Sequence, residues 1–480
     1  MTWTGLVIVV HYAIVFYVLG RVMLRPHREP ASRVAWMLLI LGLPVLGLLF
    51  YFLLGETNIG FKRAERMRQI QKSTFQSATS VNQLHEAFAV HIPEAYQPIF
   101  RIGQSINGFV PVAGNQVELL ESSEAMIDAL VADIDLASEH VHLLFYIWLT
   151  DVSGLKVVDA LIRAAGRGVV CRILVDDLGS RRLISSVHWR RMASAQVQVA
   201  YALSIGNPFM RLIFGRIDIR NHRKIMVIDD RITYCGSQNC ADAAFTVKAK
   251  YAPWVDTMLR LTGPIALQNQ RLFASDWQAA TQKCIPLAEP IGSLEEVSSC
   301  PAQAMGTGPT ERYSAMSDMF LTLIVCARQS LIITTPYFVP NESIANALCL
   351  AARSGVDVTL NLPQKNDSWV VSAASRSYYQ RLIAAGVKIF EYVGGLLHAK
   401  LLSVDGEVAL FGSANMDQRS FDLNYENNIV VYDTDLARAI IQRQQSHIAS
   451  SVRVDLDEVS AWSKPKLLWY NTVATFGPVL

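Results

Sequence analysis

A polar motif that occurs twice in this chain limits its possible folds more than any other part of the sequence. The chain reads HRKIMVIDDRITYCGSQN from His222 and HAKLLSVDGEVALFGSAN from His398, 176 residues further on. His, Lys, Asp, Gly, Ser and Asn recur at the same six offsets, and most positions between them are apolar. Because chance repetition of six such positions is improbable, the sequence predicts an internal duplication.

The segments around both motifs alternate between strand and helix patterns. In the first half, apolar runs predict strands over 141–148 and 169–176, with a helix over 157–165 between them. The second half repeats this order of strand, helix and strand over 330–338, 344–353 and 356–362. Strands separated by helices are typical of layered α/β domains. The predicted fold class is therefore α/β, with two homologous halves.

The residue types in the motif suit chemistry on a phosphate ester. His and Lys stand two residues apart, so on a strand both side chains would point to the same face. The Asp five residues after Lys ends the strand at a turn, and G-S-x-N adds a glycine and neutral hydrogen-bonding groups. In two facing copies, one histidine would attack phosphorus and the other would protonate the leaving oxygen. A solvated strand face would explain one copy equally well, but the duplication favours catalysis.

Two long uncharged runs near the N-terminus indicate a membrane protein. The chain is 51% hydrophobic and only 18% charged, and Trp3–Gly20 and Val34–Gly55 contain no charged residue. The second run is long enough to cross a hydrocarbon core of about 30 Å as a helix. The first could be a cleaved signal, but it lacks a basic start and a second run follows it closely. We predict a hairpin of two transmembrane helices.

The charges leave the orientation of this hairpin open. A two-span hairpin places the N-terminus and everything after residue 55 on one side of the membrane. Basic residues occur both in the loop between the two runs and after the second run, so the positive-inside rule supports either orientation. Of the two, we favour a cytoplasmic catalytic body. They are Arg21, Arg25, Arg28 and Arg33 in the loop, then Lys62, Arg63, Arg66, Arg68 and Lys72. The formal net charge of +2 argues against a nucleic-acid binder.

The doubled HxKxxxxD and GSxN motifs resemble those of the phospholipase D superfamily over roughly residues 100–450. Within it, the chain is similar to bacterial cardiolipin synthases of the two-span type. The stretches that carry this similarity are LLFYFLLGE (48–56), FYIWLTDVSG (145–154), RNHRKIMVID (220–229), WVDTMLRLTGP (254–264), TTPYFVPNE (334–342) and SFDLNYENN (420–428).

The resemblance implies a fold and a reaction. Two α/β sandwich halves would meet and form one active site, without a metal or other cofactor. The reaction would transfer a phosphatidyl group between two phosphatidylglycerol molecules, giving cardiolipin and glycerol. His222 would form the phosphatidyl-histidine, and His398 would protonate the departing glycerol and later deprotonate the incoming hydroxyl; the sequence also allows the reverse assignment.

The other motif residues receive roles from the same resemblance. The phosphodiester would be neutralised by Lys224, Lys400, Asn239 and Asn415, with Ser237 and Ser413 near it. Asp229 and Asp405 complete the catalytic motifs, although each could act by fixing its turn. Two further acids would orient the histidines: Glu426 in NYENN and Asp256 in WVDT, its displaced counterpart. A surface position would explain either acid without such a role.

These predictions divide the chain into a membrane anchor, two halves and their connections. The ranges are 1–56 for the two spans, 57–100 for a basic amphipathic linker, 101–283 and 310–450 for the halves, 284–309 for a linker and 451–480 for a tail. The predicted location is the bacterial inner membrane, and the predicted partners are phosphatidylglycerol and other membrane lipids. A phospholipase D hydrolase, or a transferase that uses phosphatidylethanolamine or another alcohol, remains an alternative. The sequence leaves the oligomeric state open.

Overall fold

The structure of the protein is a computed structural model that describes residues 2–26, 30–56, 60–75, 90–204, 216, 218–287 and 300–475. Its N-terminal part is helical. The helices are α1 (Trp3–Leu24), α2 (Pro30–Gly42), α3 (Pro44–Leu54) and α4 (Phe61–Phe75). Of the described helices, α1 is the one long and apolar enough to cross a membrane.

The second apolar run departs from the single helix expected over 34–55. It divides into α2 and α3 at Leu43, whose backbone (φ −132°, ψ 70°) leaves the helical region ahead of Pro44. The two helices fold back on each other, since the rings of Trp36 and Tyr51 lie 5.3 Å apart. Gly47 makes this approach possible: a Cβ there would lie 2.5 Å from the carbonyl oxygen of Leu39. The second run is therefore a tight helical hairpin of its own.

Two α/β halves follow. The first contains β1 (Val112–Leu119), β2 (His140–Phe145), β3 (Val170–Asp176), β4 (Gln198–Ala202), β5 (Ile225–Ile228), β6 (Ile232–Gly236), β7 (Trp254–Val255) and β8 (Met258–Thr262). Its helices, with one preceding β1, are α5 (Gln97–Asn107), α6 (Ser123–Leu136), α7 (Val152–Gly166), α8 (Arg181–Ile184), α9 (Val187–Ser194) and α10 (Ile265–Thr281); a 3₁₀ helix spans Thr246–Tyr251.

The second half repeats this plan. Its strands are β9 (Cys300–Thr307), β10 (Ser330–Thr334), β11 (Phe338–Val339), β12 (Asp357–Pro363), β13 (Lys388–Tyr392), β14 (Leu396–Leu397), β15 (Leu401–Val404), β16 (Val408–Gly412), β17 (Met416–Asp417), β18 (Glu426–Tyr432) and β19 (Ser451–Val454). Its helices are α11 (Ala315–Cys326), α12 (Glu342–Arg353), α13 (Trp369–Arg376), α14 (Tyr379–Ala384), α15 (Gln418–Asp422), α16 (Thr434–Ala449), α17 (Leu456–Ser460) and α18 (Lys464–Thr475).

The strands of both halves form one sheet of 15 strands in a nearly symmetrical order. The order is β19-β13-β12-β10-β15-β16-β18-β9 for the second half, followed by β1-β8-β6-β5-β2-β3-β4 for the first. The halves join where β1 pairs antiparallel with β9, through Val112 opposite Ala302 and Asn115 opposite Cys300. Read outward from this junction, seven strands of each half follow the same order, and β19 is an additional strand at the edge of the second half. The duplication and the α/β class predicted from the sequence are thus confirmed.

The boundaries drawn from the sequence differ in detail from the elements. The predicted linker over 284–309 includes β9, whose residues are all buried and which pairs with both β1 and β18. A composition rich in Gly, Pro and Ser did not reveal this strand, because small residues also suit a strand packed between neighbours. The domain boundaries themselves stay predictions.

The membrane anchor is connected to the catalytic body by a buried arginine. Arg216 donates from Nη1 to the carbonyl oxygen of Leu54, at the end of α3, over 3.0 Å. It also forms a two-pronged pair with Asp218, at 2.7 Å for each bond, and Asp218 accepts from Arg419 at 3.1 Å. Because Arg419 lines the cavity described next, one chain of contacts links the anchor to that cavity.

Candidate active site

The two histidine–lysine pairs lie in extended segments just ahead of β5 and β15. Lys224 and Lys400 occupy the positions immediately before these strands begin. The backbone N–H of His222 donates to the carbonyl oxygen of Tyr425 at 2.8 Å, and that of His398 donates to Val255 at 2.8 Å. Each histidine is therefore anchored to the opposite half. Each lysine folds back on its own histidine, with Nζ 2.9 Å from the carbonyl oxygen of His222 and 2.6 Å from that of His398.

Each imidazole is also held by a carboxylate from the other half. Nδ1 of His222 lies 2.8 Å from Oε2 of Glu426, and Nδ1 of His398 lies 2.6 Å from Oδ1 of Asp256. Nδ1 bound to a carboxylate carries the proton, which leaves Nε2 for chemistry. The predicted acids are thus next to the histidines, and the pairing crosses between halves.

Asp256 and Glu426 lie at different sequence distances from their GSxN motifs, yet the register of the sheet gives both the same position relative to the motif glycine. Gly236 pairs with Met258, and Gly412 pairs with Asn428, so the acid lies two residues before the partner strand position in both halves. At each glycine the two backbones approach closely. A Cβ on Gly236 would lie 2.3 Å from the carbonyl oxygen of Thr257, and one on Gly412 would lie 2.3 Å from that of Asn427. The glycine of the GSxN motif is therefore needed to seat the acid.

Ser237 and Ser413 donate to these acids and do not line the cavity, and their role beside the phosphate stays a prediction. Ser237 donates to Asp256 over 2.6 Å, and Ser413 donates to Glu426 over 2.5 Å. Both serines are buried. A hydroxyl that satisfies a buried carboxylate fixes the orientation of that carboxylate and of the imidazole beyond it.

Burial dominates the protonation of the two histidines. It lowers the pKa of His222 to about 4, with Glu426 opposing the shift and Lys224 adding to it. Burial also lowers the pKa of His398 in the same way, against the opposing effect of Asp256. Burial raises the pKa of each acid, and the histidine bound to it lowers that pKa; the net shift is downward for both Glu426 and Asp256. The resting site therefore holds neutral imidazoles and ionised carboxylates.

The two lysines are buried cations at the back of the site. Lys224 is fully buried and Lys400 is 5% exposed. Burial lowers the pKa of Lys224 to about 8 and that of Lys400 to about 7, against the carboxylates Glu426 and Asp256, which raise both. A phosphodiester anion entering the site would favour the charged form of both lysines.

The histidines open onto a cavity of about 770 Å³ between the halves. Asn239 and Asn415 line it; Oδ1 of Asn239 accepts from the backbone N–H of Ile147 at 3.2 Å, which leaves its amide nitrogen free to donate. Aromatic rings support the imidazoles: Tyr146 lies 5.0 Å from His222, and Trp254 lies 4.7 Å from His398. Among the described residues, no group of three His, Cys, Asp or Glu side chains is placed to hold a metal ion.

Asp229 and Asp405 lie at the far end of β5 and β15 and do not line the cavity, which favours the turn-fixing role that the sequence also allowed. Asp229 accepts three backbone N–H groups, from residues 138, 139 and 140, at 2.8 to 2.9 Å. Asp405 does the same with residues 328, 329 and 330 at 2.7 to 2.9 Å. Burial alone would raise the pKa of Asp229, and these donors outweigh it and lower that pKa. Both acids therefore fix the start of the neighbouring strand in the sheet, β2 for Asp229 and β10 for Asp405.

Replacing Asp229 or Asp405 by Asn should destabilise the protein without changing its chemistry. Loss of the charge weakens three hydrogen bonds to backbone N–H groups, at a cost of about 1–3 kcal/mol. We expect a lower thermal unfolding midpoint and an unchanged kcat for each folded molecule. A large loss of kcat in fully folded protein would return these acids to the catalytic machinery.

The sequence did not reveal a buried ion network behind His222. Arg223 is fully buried and donates to Asp276 at 3.0 Å, to the carbonyl oxygen of Glu426 at 3.1 Å and to that of Thr307 at 3.2 Å. It therefore holds the backbone of the acid that holds His222. The only signal was an arginine at the x position of the first HxK, where the second motif has Ala399.

Glu311 makes this network sensitive to pH. Burial raises the pKa of Glu311 to about 8, with Asp276 adding to the shift and Arg223 opposing it. The pKa of Glu311 in the folded protein is raised above 4.5, the ordinary value for a glutamate. Its contribution to the stability of the fold is therefore complete below about pH 4.5 and is lost as the pH rises towards 8. Glu311→Gln should therefore lose less stability than wild type between pH 6 and pH 8, by at most about 3 kcal/mol.

Denaturant unfolding at the two pH values measures this difference. Glu342→Gln, at an exposed acid paired with Arg381, serves as the control and should keep the wild-type dependence. Identical slopes for Glu311→Gln and wild type would show that Glu311 does not titrate in this range.

Comparison with known proteins gives two matches to families. The family described as cardiolipin synthase, PLD-like domain, matches residues 130–277 and 320–448. The family described as phospholipase D-nuclease N-terminal matches residues 13–56. These ranges cover both motif-bearing halves and the helical anchor.

Relatives share nearly the whole chain. Cardiolipin synthase A of Edwardsiella ictaluri (strain 93-146) is 37% identical over 465 residues, which are 95% of this chain and 94% of that protein. Cardiolipin synthase A of Yersinia pseudotuberculosis serotype O:1b is 36% identical with the same coverage. Among solved structures, phosphatidylserine synthase of Haemophilus influenzae Rd KW20 has the same fold, with a TM-score of 0.57 at 13% identity, over 81% of this chain and all of that one.

Proposed function

This chain belongs to the bacterial cardiolipin synthases of the phospholipase D superfamily, and on that premise we propose how its site makes cardiolipin. The observation that carries the proposal is the crossed arrangement of His222 with Glu426 and His398 with Asp256 around one cavity. It provides a neutral nucleophile and a second imidazole for proton transfer on opposite walls. The donor and the acceptor are both phosphatidylglycerol.

The first step transfers the phosphatidyl group to the enzyme. Nε2 of His222 attacks the phosphorus of the donor and forms a P–N bond, while the bond from phosphorus to the glycerol oxygen breaks. His398, protonated when the anionic phosphodiester lies beside it, gives its Nε2 proton to that oxygen, and glycerol leaves. Lys224, Lys400, Asn239 and Asn415 stabilise the charge on the phosphoryl oxygens. Glu426 stabilises the positive charge that forms on His222.

The second step is the reverse of the first with a different alcohol. The hydroxyl group of a second phosphatidylglycerol gives its proton to Nε2 of His398, and its oxygen attacks phosphorus. The P–N bond breaks, and His222 is restored as cardiolipin forms. The near symmetry of the two halves suits a reaction whose two steps mirror each other, and either direction uses the same groups.

The protein is membrane-associated, and we propose that it is integral to the bacterial cytoplasmic membrane through its helical anchor. Supporting features adjoin residues that line the cavity. Trp369 and Trp469 are stacked, with ring centroids 5.7 Å apart, and both are exposed. Trp369 lies between two cavity-lining residues, Ser368 and Val371. Exposed tryptophans of this kind are favoured at the membrane–water interface, where the lipid phosphodiester also lies.

Purified protein incubated with phosphatidylglycerol vesicles tests the reaction. We expect cardiolipin and glycerol to form in equal amounts, with little phosphatidic acid. Phosphatidic acid without cardiolipin would instead identify a hydrolase, in which water takes the phosphatidyl group from His222. Mixed vesicles containing phosphatidylethanolamine test the donor: release of ethanolamine would extend the donor range.

A further inference from the structure

Two arginines at the edge of the active-site cavity lack an acidic partner within the described ranges. Arg181 and Arg182 begin the short helix α8 and line the same cavity as His222 and His398. Both side chains are exposed. The residues around them come from one wall of the first half, including Leu178, Gly179 and Ser185.

The other peripheral cations of the cavity differ, because each lies against a carboxylate. The pairs are Lys248 with Asp367, Arg220 with Asp176 at 3.5 Å, and Arg419 with Asp218 at 3.1 Å. A paired cation is largely neutralised and attracts a further anion weakly. Among the described residues that line the cavity, the uncompensated positive charge at its edge is therefore concentrated at Arg181 and Arg182.

The reaction proposed above places two phosphodiesters in one cavity. The donor phosphate lies between the histidines, with Lys224, Lys400 and the two asparagines. The acceptor keeps its own phosphodiester, which needs a separate cationic contact near the histidines. We propose that Arg181 and Arg182 bind the phosphate of the acceptor phosphatidylglycerol. Guanidinium groups suit this task because they bind phosphate with paired, charge-assisted hydrogen bonds. This assignment rests on the proposed function.

Two reactions of the same enzyme separate the acceptor from the donor. Exchange of labelled glycerol into phosphatidylglycerol uses the donor site and a small neutral alcohol, whereas cardiolipin formation also needs the second lipid. In the double variant Arg181→Gln/Arg182→Gln, we expect the rate of cardiolipin formation at low phosphatidylglycerol to fall at least tenfold. Glycerol exchange should stay within about twofold of wild type, because no phosphate occupies the acceptor site in that reaction.

A matched control removes two charges elsewhere on the same half. Arg190→Gln/Arg191→Gln on α9 lowers the net charge equally, and these two residues do not line the cavity. This variant should keep the wild-type ratio of cardiolipin formation to glycerol exchange. Equal losses of both reactions in the Arg181/Arg182 variant, or an unchanged ratio, would overturn the acceptor site. If wild type formed no cardiolipin, the proposed function itself would fail.

A second inference concerns the membrane anchor and stands on separate contacts. The end of α3 returns to the end of α1: Glu56 pairs with Arg21 and with Arg25, each over 2.5 Å. At the start of α2, Arg33 donates to the carbonyl oxygen of Arg25 at 3.0 Å. The two ends of the α2–α3 hairpin therefore lie at the same level, beside the C-terminal end of α1.

The length of the hairpin shows how far it reaches. Helices of 13 and 11 residues extend about 20 and 16 Å at 1.5 Å per residue, short of the 30 Å hydrocarbon core. The geometry points to one span, α1, with α2–α3 entering and leaving the membrane on the same side. The N-terminus and the catalytic body then lie on opposite sides, unlike in the two-span hairpin predicted from the sequence.

This topology removes the conflict between the basic segments. In a two-span hairpin, the arginines between the runs and the basic residues after Gly55 are on opposite sides of the membrane. With a re-entrant hairpin, both groups lie on the side of the catalytic body. The positive-inside rule then places the catalytic body in the cytoplasm.

Cysteine labelling from each side tests this topology. Cys284 is exposed and the other six cysteines are buried, so a membrane-impermeant maleimide should label wild type at Cys284 alone. We expect Cys284 to react in inverted membrane vesicles. A Thr2→Cys variant that also carries Cys284→Ser should react in intact spheroplasts instead. Labelling of both positions from one side would establish the two-span hairpin and overturn the inference.

Discussion

His222→Ala is expected to lower the kcat of cardiolipin formation by at least about 10,000-fold, since it removes the atom that forms the P–N bond. His398→Ala should lower it about 100- to 10,000-fold, the usual contribution of a general acid and base. The two variants also block different steps. Only His222 becomes covalently modified, so its loss prevents formation of the intermediate, whereas loss of His398 impairs the proton transfers.

A donor with a good leaving group separates the two roles. Phosphatidyl-p-nitrophenol releases nitrophenolate without help from an acid. His398→Ala should therefore give a burst of nitrophenolate equal to the enzyme concentration and then stop, with a lipid attached to His222. His222→Ala should give no burst. The reverse pattern would exchange the roles of the two histidines, and turnover by either variant at the wild-type rate would exclude the two-histidine mechanism.

Glu426→Gln and Asp256→Asn are expected to lower kcat on the order of 100- to 10,000-fold with the fold intact. An amide can donate to Nδ1 and so stabilise the wrong tautomer, in which Nε2 carries the proton. The substitution also removes the negative charge that stabilises the imidazolium formed during the reaction. Because the pairing crosses between halves, Glu426→Gln should impair the step of His222, and Asp256→Asn should impair the step of His398.

The nitrophenyl donor measures this assignment directly. Glu426→Gln should slow the burst itself, whereas Asp256→Asn should keep a fast burst and slow the turnover that follows. Asp135→Asn, at an exposed carboxylate paired with Arg163, is the control and should behave as wild type. If Glu426→Gln spared the burst and slowed only turnover, the pairing seen here would not operate in catalysis.

The repeated motif predicted most of the site because its chemistry requires fixed residue types at fixed offsets. His222, His398 and both asparagines line the cavity, and each lysine contacts the backbone of its own histidine. The two acids were also identified, although 17 and 11 residues separate them from their asparagines. Sequence spacing could not show that each acid serves the histidine of the other half, because that depends on how the two halves of the sheet meet.

Other features depend on contacts that no local pattern encodes. Arg223 looks like any variable position within a motif until its guanidinium is seen among Asp276, Thr307 and Glu426. The break at Leu43 is similar, because proline and glycine also occur within membrane helices and Pro44 alone does not locate a turn. Only the packing of Gly47 against Leu39 shows that the chain turns back there.

The crossed carboxylates have a consequence for the protein while it is being made. His222 leaves the ribosome about 200 residues before Glu426, the acid that orients it. A nascent or prematurely terminated chain that ends before β18 therefore carries a complete first motif without its carboxylate. The N-terminal helices can reach the lipid substrate before Glu426 has been synthesised. Incomplete chains in the membrane therefore lack an oriented nucleophile and should not transfer phosphatidyl groups.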